Sequence, residues 1–224
     1  MFGDVYKRQT WPARLVVETI FLKPALSVRR ANSEDRKTET SAGFKHSHGQ
    51  SWTCHAYALS WRIVMNEPAN IPVFILCGGL GTRIKEETEF RPKPMVPIGE
   101  HPILWHIMQI YARHGFRRFV LCLGFKAEVV KDYFSNFHLH NADCTIKLKT
   151  NEVTVHEHRQ KLDWEVTLAY TGEKSMTGSR IAQAARKYLG SAAHFAVTYG
   201  DGVTDARLAD EFAYHLQQNQ LGTV

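Results

Sequence analysis

Between Leu76 and Met95 the chain reads LCGGLGTRIKEETEFRPKPM. Gly78, Gly79 and Gly81 follow an apolar run, with Thr82 and Arg83 straight after. Glycines in such a turn let backbone N–H groups approach phosphate oxygens that a Cβ would hold away. For the glycines alone, a tight Gly-rich turn is an equal reading. GGLGTRI lacks the Lys-Ser/Thr pair of a P-loop, and the third glycine of a dinucleotide fingerprint would fall at Ile84. Two cations favour phosphate. Arg83 offers a planar fork for bidentate contact, and Lys93 is a compact charge that can follow one phosphoryl oxygen through a reaction. Pro92 and Pro94 stiffen the backbone on both sides of Lys93, which suits an amine that must be held in place. Two solvated loop cations are the alternative, and that reading leaves the prolines unexplained.

A third candidate stands in FAVTYGDGV, where Asp201 lies between Gly200 and Gly202. A carboxylate with no bulky neighbours suits a hydrated Mg²⁺, although an Asp in a Gly-flanked turn is commonly a turn residue. Its coincidence with a phosphate loop favours the metal. His138 with His140, and His156 with His158, are H-x-H pairs that a strand would present on one face, with no third ligand evident. Trp105, Trp164, Tyr133 and Phe134 are expected in a core or interface. Arg117 and Arg118 are expected at a solvated helix-to-strand corner, not in a nucleic-acid patch.

The elements that must position these residues follow from periodicity. IPVFIL reads as a buried strand ahead of the glycines. HPILWHIMQIYARHG reads as a helix, with Ile103, Leu104, Ile107, Met108 and Tyr111 at helical spacing and Gly115 as its stop. RFVLCLG is the next strand and KAEVVKDYFSNF the next helix. CTIKLKT, EVTVHEH and WEVTLAY read as alternating, antiparallel strands. SRIAQAARKYL is a helix, HFAVTYG a buried strand, and RLADEFAYHLQQN a helix. Strands alternating with helices predict an α/β protein with an open, mostly parallel sheet and an antiparallel insertion. Ligands of such sheets bind at the carboxyl ends of the strands, where Gly78 to Gly81 and Asp201 would lie. LGTV begins as a further strand, so the sheet is expected to continue beyond Val224.

Charge divides the chain. Residues 1–64 hold 10 Lys/Arg against 5 Asp/Glu, a net of +5; residues 65–224 hold 18 against 17, a net of +1. The basic excess therefore says little about nucleic acid. Residues 28–50 are polar, charged and aperiodic, the composition of a segment that cannot repay its ordering entropy. The opening DVYKRQ resembles a translated sequencing-library adapter. Residues 1–64 are thus expected to be a disordered or non-native extension, with a nucleotide-binding core over 65–224 starting at Met65; a regulatory extension is the alternative. Cys54, Cys77, Cys122 and Cys144 have neither zinc-site nor disulfide-framework spacing, which points to a reduced, cytoplasmic protein. RLVVETIFLKPAL is interrupted by Glu18, Lys23 and Pro24, so it fits neither a signal peptide nor a membrane span.

Taken together, LCGGLGTR, RPKPMVPIGEHPILWHIM, SMTGSR and TYGDGV resemble the sugar-nucleotide pyrophosphorylases over Ile71 to the C-terminus. The likeness is strongest to the branch that joins CTP to glucose 1-phosphate. EET at Glu86–Thr88 and SMTG at Ser175–Gly178 favour that branch over those using UTP or dTTP. The resemblance implies a Rossmann-like fold of the nucleotide-diphospho-sugar transferase type. It implies nucleotide contacts from Leu76, Gly78, Gly79, Leu80, Gly81, Thr82, Arg83, Ser175, Arg180 and Gly200, catalytic roles for Arg83 and Lys93, and Mg²⁺ on Asp201. A homo-oligomer without nucleic-acid or membrane partners is also implied. Cys77 departs from the alanine usual in the family, and the resemblance places a second metal carboxylate and much of the sugar pocket beyond Val224. Sister enzymes using UTP, dTTP or GTP remain alternatives. So does a non-catalytic nucleotide-sensing subunit, which would be expected to lack Arg83, Lys93 or Asp201.

Overall fold

The computed structural model describes residues 19–24, 67–79, 90–158, 162–218 and 220–224. In chain order these form β1 (Ile20–Leu22), β2 (Pro72–Cys77), β3 (Pro97–Ile98), β4 (His101–Pro102), α1 (Ile103–Arg113) and β5 (Arg118–Leu123). They continue with α2 (Ala127–Ser135), α3 (Phe137–His140), β6 (Ala142–Lys147), β7 (Glu152–His158), β8 (Glu165–Tyr170) and α4 (Thr177–Tyr188). β9 (Phe195–Tyr199), α5 (Leu208–Gln218) and β10 (Gly222–Thr223) complete the chain.

The main sheet has the order β10-β1-β9-β2-β5-β8. β9, β2, β5 and β8 run parallel, and β1 is antiparallel to both its neighbours. The expected open α/β sheet is therefore present. β2 reads as a continuous apolar run because both of its faces are covered. Val73, Ile75 and Cys77 join a core with Leu104, Ile107, Met108 and Tyr111 of α1, Val130 of α2, and Leu208 and Phe212 of α5. Phe74 faces the other layer, with Ala184 and Ala185 of α4. α1 ends where Gly115 takes a φ of 92°, a left-handed conformation that favours glycine after a helix.

Register decides where the chemistry lies. Cys77 pairs with Leu123, Leu123 with Tyr170, and Leu76 with Tyr199. The residues that follow, Gly78, Gly124, Thr171 and Gly200, consequently line one edge of the sheet.

Two expectations are corrected. WEVTLAY does not belong to an antiparallel insertion; as β8 it pairs in parallel with β5 at the margin of the main sheet. Its alternation arises because a margin strand is only partly covered, a pattern that also occurs in antiparallel ribbons. The insertion is the β6–β7 hairpin alone. The second correction concerns the extension. Within residues 1–64, β1 lies between β9 and β10, with Phe21 fully buried and its ring 5.2 Å from that of Phe212. Thr19 Oγ1 and Tyr111 OH are 2.6 Å apart in a buried hydrogen bond. The described fold thus includes residues before Met65; the rest of 1–64 lies outside the described residues.

Candidate active site

At the shared strand edge a cleft of about 230 Å³ opens, lined by Leu76, Cys77, Gly78, Gly79, Lys93, Pro94, Ser175, Met176, Thr177, Arg180, Tyr199 and Asp201. Residues far apart in sequence meet here.

One wall carries the ion pair. Lys93 opens a short 3₁₀ turn, Lys93–Met95, preceded by Pro92 at φ −69° and ψ 149°. Met95 N–H donates to Pro92 O at 2.8 Å, and Val96 N–H to Lys93 O at 3.1 Å. Pro94 and Met95 are buried, so the core anchors the turn while the lysine side chain remains partly exposed. From there Lys93 Nζ donates to Asp201 Oδ2 at 2.6 Å. Gly200 N–H donates to Leu76 O at 3.1 Å, which fixes the loop bearing Asp201. A Cβ on Gly200 would lie 3.0 Å from Cys77 Sγ, Leu76 O and Pro94 Cγ. Close packing of the two loops therefore accounts for this glycine.

The opposite wall is built on Arg180, in the first turns of α4 and 5% exposed. Its Nη1 donates to Leu123 O at 3.1 Å, Thr171 Oγ1 at 3.0 Å and Gly172 O at 2.6 Å. Its Nη2 donates to Gly78 O at 2.8 Å and Glu173 O at 3.0 Å. All five acceptors are neutral, and burial lowers the pKa of the guanidinium from the usual arginine value. The resemblance implied that Arg180 contacts nucleotide. In the structure its terminal nitrogens meet the protein where three carbonyl-rich strand ends converge, and Arg180 also lines the cleft. Gly78 is buried above the guanidinium, whereas Gly79 is exposed.

Ser175, Met176 and Thr177 bring the N-terminus of α4 to the cleft. No side chain caps that end, so its first N–H groups are available to an anion. Ser175 Oγ accepts from Gln183 Nε2 at 3.3 Å. Leu76 lines the floor. Leu80, Gly81, Thr82 and Arg83 lie outside the described residues, as do Glu86–Thr88.

Among the described residues no group of three His, Cys, Asp or Glu side chains could hold a metal. A Mg²⁺ that keeps waters and takes phosphate oxygens needs only one or two carboxylates, so Asp201 fits as a single protein ligand. His138 and His140 fall on α3, not on a strand, and His156 shares a hydrogen bond with Thr145 Oγ1 at 2.9 Å. Arg117 and Arg118 reach Asp163 at 2.8 Å and Glu165 at 3.6 Å, the solvated corner expected. Cys77 and Cys122 are buried free thiols; Cys144 is exposed.

Sequence reasoning missed Tyr199, Thr171 and Gly124. Tyr199 is half-exposed beside Asp201 and could have been found as the aromatic next to the GDG turn. Thr171 and Gly124 carry no local signal, since their role is to receive Arg180.

A glycine turn, a lysine–carboxylate pair and an open helix N-terminus meet at one edge of a parallel sheet, the edge at which α/β proteins bind ligands. Residues 72–224 match the nucleotidyl transferase family, and the chain belongs to that family. It is 45% identical over 150 residues to glucose-1-phosphate cytidylyltransferase of Salmonella typhimurium, covering 67% of this chain and 58% of that protein. It is 41% identical over 150 residues to the probable glucose-1-phosphate cytidylyltransferase of Bacillus subtilis, with the same coverage. The chain thus spans 58% of the length of these relatives. The crystal structure of HddC from Yersinia pseudotuberculosis with GMP-PN aligns at 29% identity with a TM-score of 0.46, covering 65% of this chain and 54% of that one. No helix among the described residues is long and apolar enough to cross a membrane.

Proposed function

We propose that this chain carries the nucleotide site of an Mg²⁺-dependent transferase that joins CTP to glucose 1-phosphate, giving CDP-glucose and pyrophosphate. The observation that carries the reading is the Lys93–Asp201 pair at 2.6 Å, set across one cleft from Gly78, Gly79 and the start of α4. The relatives' names supply the base and the sugar. The cysteine spacing supports a cytoplasmic protein, and the family resemblance a homo-oligomer.

A sugar phosphate is already ionised near neutral pH, so no general base is required, and catalysis reduces to aligning anions that repel one another. An oxygen of the sugar phosphate bonds to the α-phosphorus in line, and the bond from that phosphorus to the β-phosphate oxygen breaks. The electron pair leaves with pyrophosphate. Lys93 neutralises charge gathering on the α-phosphate, while the exposed Gly79 turn and the N–H groups at the start of α4 hold phosphate oxygens. Arg83, by its sequence position, serves the departing pyrophosphate. Mg²⁺ held by Asp201 would add further charge neutralisation.

A thermal melt of the chain with Mg²⁺ and CTP, UTP, dTTP, ATP or GTP in turn tests this, since binding to the folded state alone raises the midpoint. CTP alone should raise it. A cooperative melt indifferent to all five nucleotides would refute the site, and a rise with UTP, dTTP or GTP instead would move the chain to a sister activity.

A further inference from the structure

The β6–β7 ribbon stands outside the cleft, and among the described residues its two strands pair only with each other. Its faces differ. The opposed pairs Thr145↔Thr154 and Lys147↔Glu152 make one face polar. There Thr145 Oγ1 and His156 Nε2 share a hydrogen bond at 2.9 Å, and Lys147 Nζ donates to Glu152 Oε2 at 2.7 Å. Cys144↔Val155 and Ile146↔Val153 make the other face apolar. Ile146 is 50% exposed, Val153 is 44% exposed, and Cys144 is exposed as well. A two-stranded ribbon is at best marginally stable in water, whereas three or more strands with an apolar face can stand alone.

We propose that the outer edge of β6 docks a second copy of this chain, the two β6 strands pairing antiparallel about a two-fold axis at Thr145. From Asp143 to Lys147 the edge reads DCTIK. Centred on Thr145, such pairing sets Asp143 opposite the partner's Lys147 and Lys147 opposite the partner's Asp143. Cys144 then meets the partner's Ile146, and Thr145 meets the partner's Thr145. Opposite charges directly across an antiparallel pair stabilise it, and a two-fold contact supplies each pairing twice. The edge is its own complement.

Register and edge choice both follow from the ribbon. An odd shift would lay the polar face of one ribbon beside the apolar face of the other, and centring on Cys144 would leave Asp143 opposite the partner's Thr145. β7 is the poorer edge. Between the pairs Ala142↔His158 and Cys144↔Val155 it spends one residue more than β6 does, and such a bulge blunts an edge strand. Pairing through β6 gives its outer N–H and C=O groups partners and makes one sheet of four strands, with Cys144 and Ile146 flanked on both sides. The proposal gives an interface to the homo-oligomer suggested above, while resting only on the ribbon's own residues.

Two charge reversals in the full chain test it by sedimentation. Asp143→Lys sets like charges across both contacts, and so does Lys147→Asp; each should weaken self-association about tenfold or more. Both positions are exposed, so the variants should melt as the parent does. An equimolar mixture of the two variants restores both opposite-charge contacts and should recover heterodimers. Register is read separately. Thr145→Cys in a Cys144→Ser background should give a disulfide-linked dimer under mild oxidation, since the two thiols stand directly opposite, beyond any formed by the background or by Lys149→Cys within it. A monomeric parent, or a mixture that fails to recover, would overturn the proposal. Self-association that both reversals leave unchanged would sink this interface and leave the homo-oligomer standing.

Discussion

The cleft holds two cations on opposite walls, and they are built in opposite ways. Lys93 is partly exposed, sits on a proline-flanked turn and meets a carboxylate at 2.6 Å. Arg180 is buried and meets five neutral oxygens. The difference is one of exchangeability. A solvent-accessible ammonium loses little by leaving a partly hydrated carboxylate for a phosphate, since exposed ion pairs contribute about 0–1 kcal/mol. A buried guanidinium that left its acceptors would strand several carbonyls at about 1–3 kcal/mol each. Lys93 can therefore exchange its partner at little cost, whereas Arg180 is held by the protein around it.

Breaking the mobile side should cost most in rate. Lys93→Ala is expected to lower turnover by about 10²–10³-fold while weakening CTP much less. Equal losses of turnover and affinity in steady-state kinetics would reduce Lys93 to a binding residue. Breaking the fixed side should cost stability: Arg180→Met is expected to lose about 2–4 kcal/mol in denaturant unfolding, because the strand ends lose their shared donor. A loss under about 1 kcal/mol would show that water replaces the guanidinium and that the two walls are alike. Asp201→Asn should change unfolding stability by less than about 1 kcal/mol, as a partly exposed pair allows, and a larger loss would place Asp201 with the fixed wall. The smallest effect is expected from alkylation of the folded protein at pH 8. Burial is the main cause that pushes Cys77 well above the usual thiol value, and it raises Cys122 to about 12, so neither is thiolate. Peptide mapping should find Cys144 labelled and both buried cysteines intact; labelling of Cys77 would mean that the cleft floor opens.

Legibility followed the range of the interactions. β2, α1, β5, α4, β9 and α5 were readable because each buries a periodic face over several residues, as Leu104, Ile107, Met108 and Tyr111 do on α1. The stiff turn at Lys93 and the glycine edge at Asp201 were readable because proline and glycine act locally. β8 was assigned to the wrong partner because alternation reports how a strand is covered, not which strand lies beside it. β1 was missed because Ile20–Leu22 has too few residues for any period, and its pairing partners lie some 170 to 200 positions away in the chain.

By itself, then, the sequence determined the class of fold, the strand edge at which the cleft opens, and two residues that line it, Lys93 and Asp201. These are properties of short stretches, where residue type limits backbone and charge directly. Tertiary structure alone decided that the pair is in contact, that β1 enters the sheet, and that Arg180 faces inward. In each case the outcome depends on which distant atoms share the space. A guanidinium in sequence can serve phosphate or carbonyl equally well, and only the tertiary structure shows Gly78, Leu123 and Gly172 converging on it.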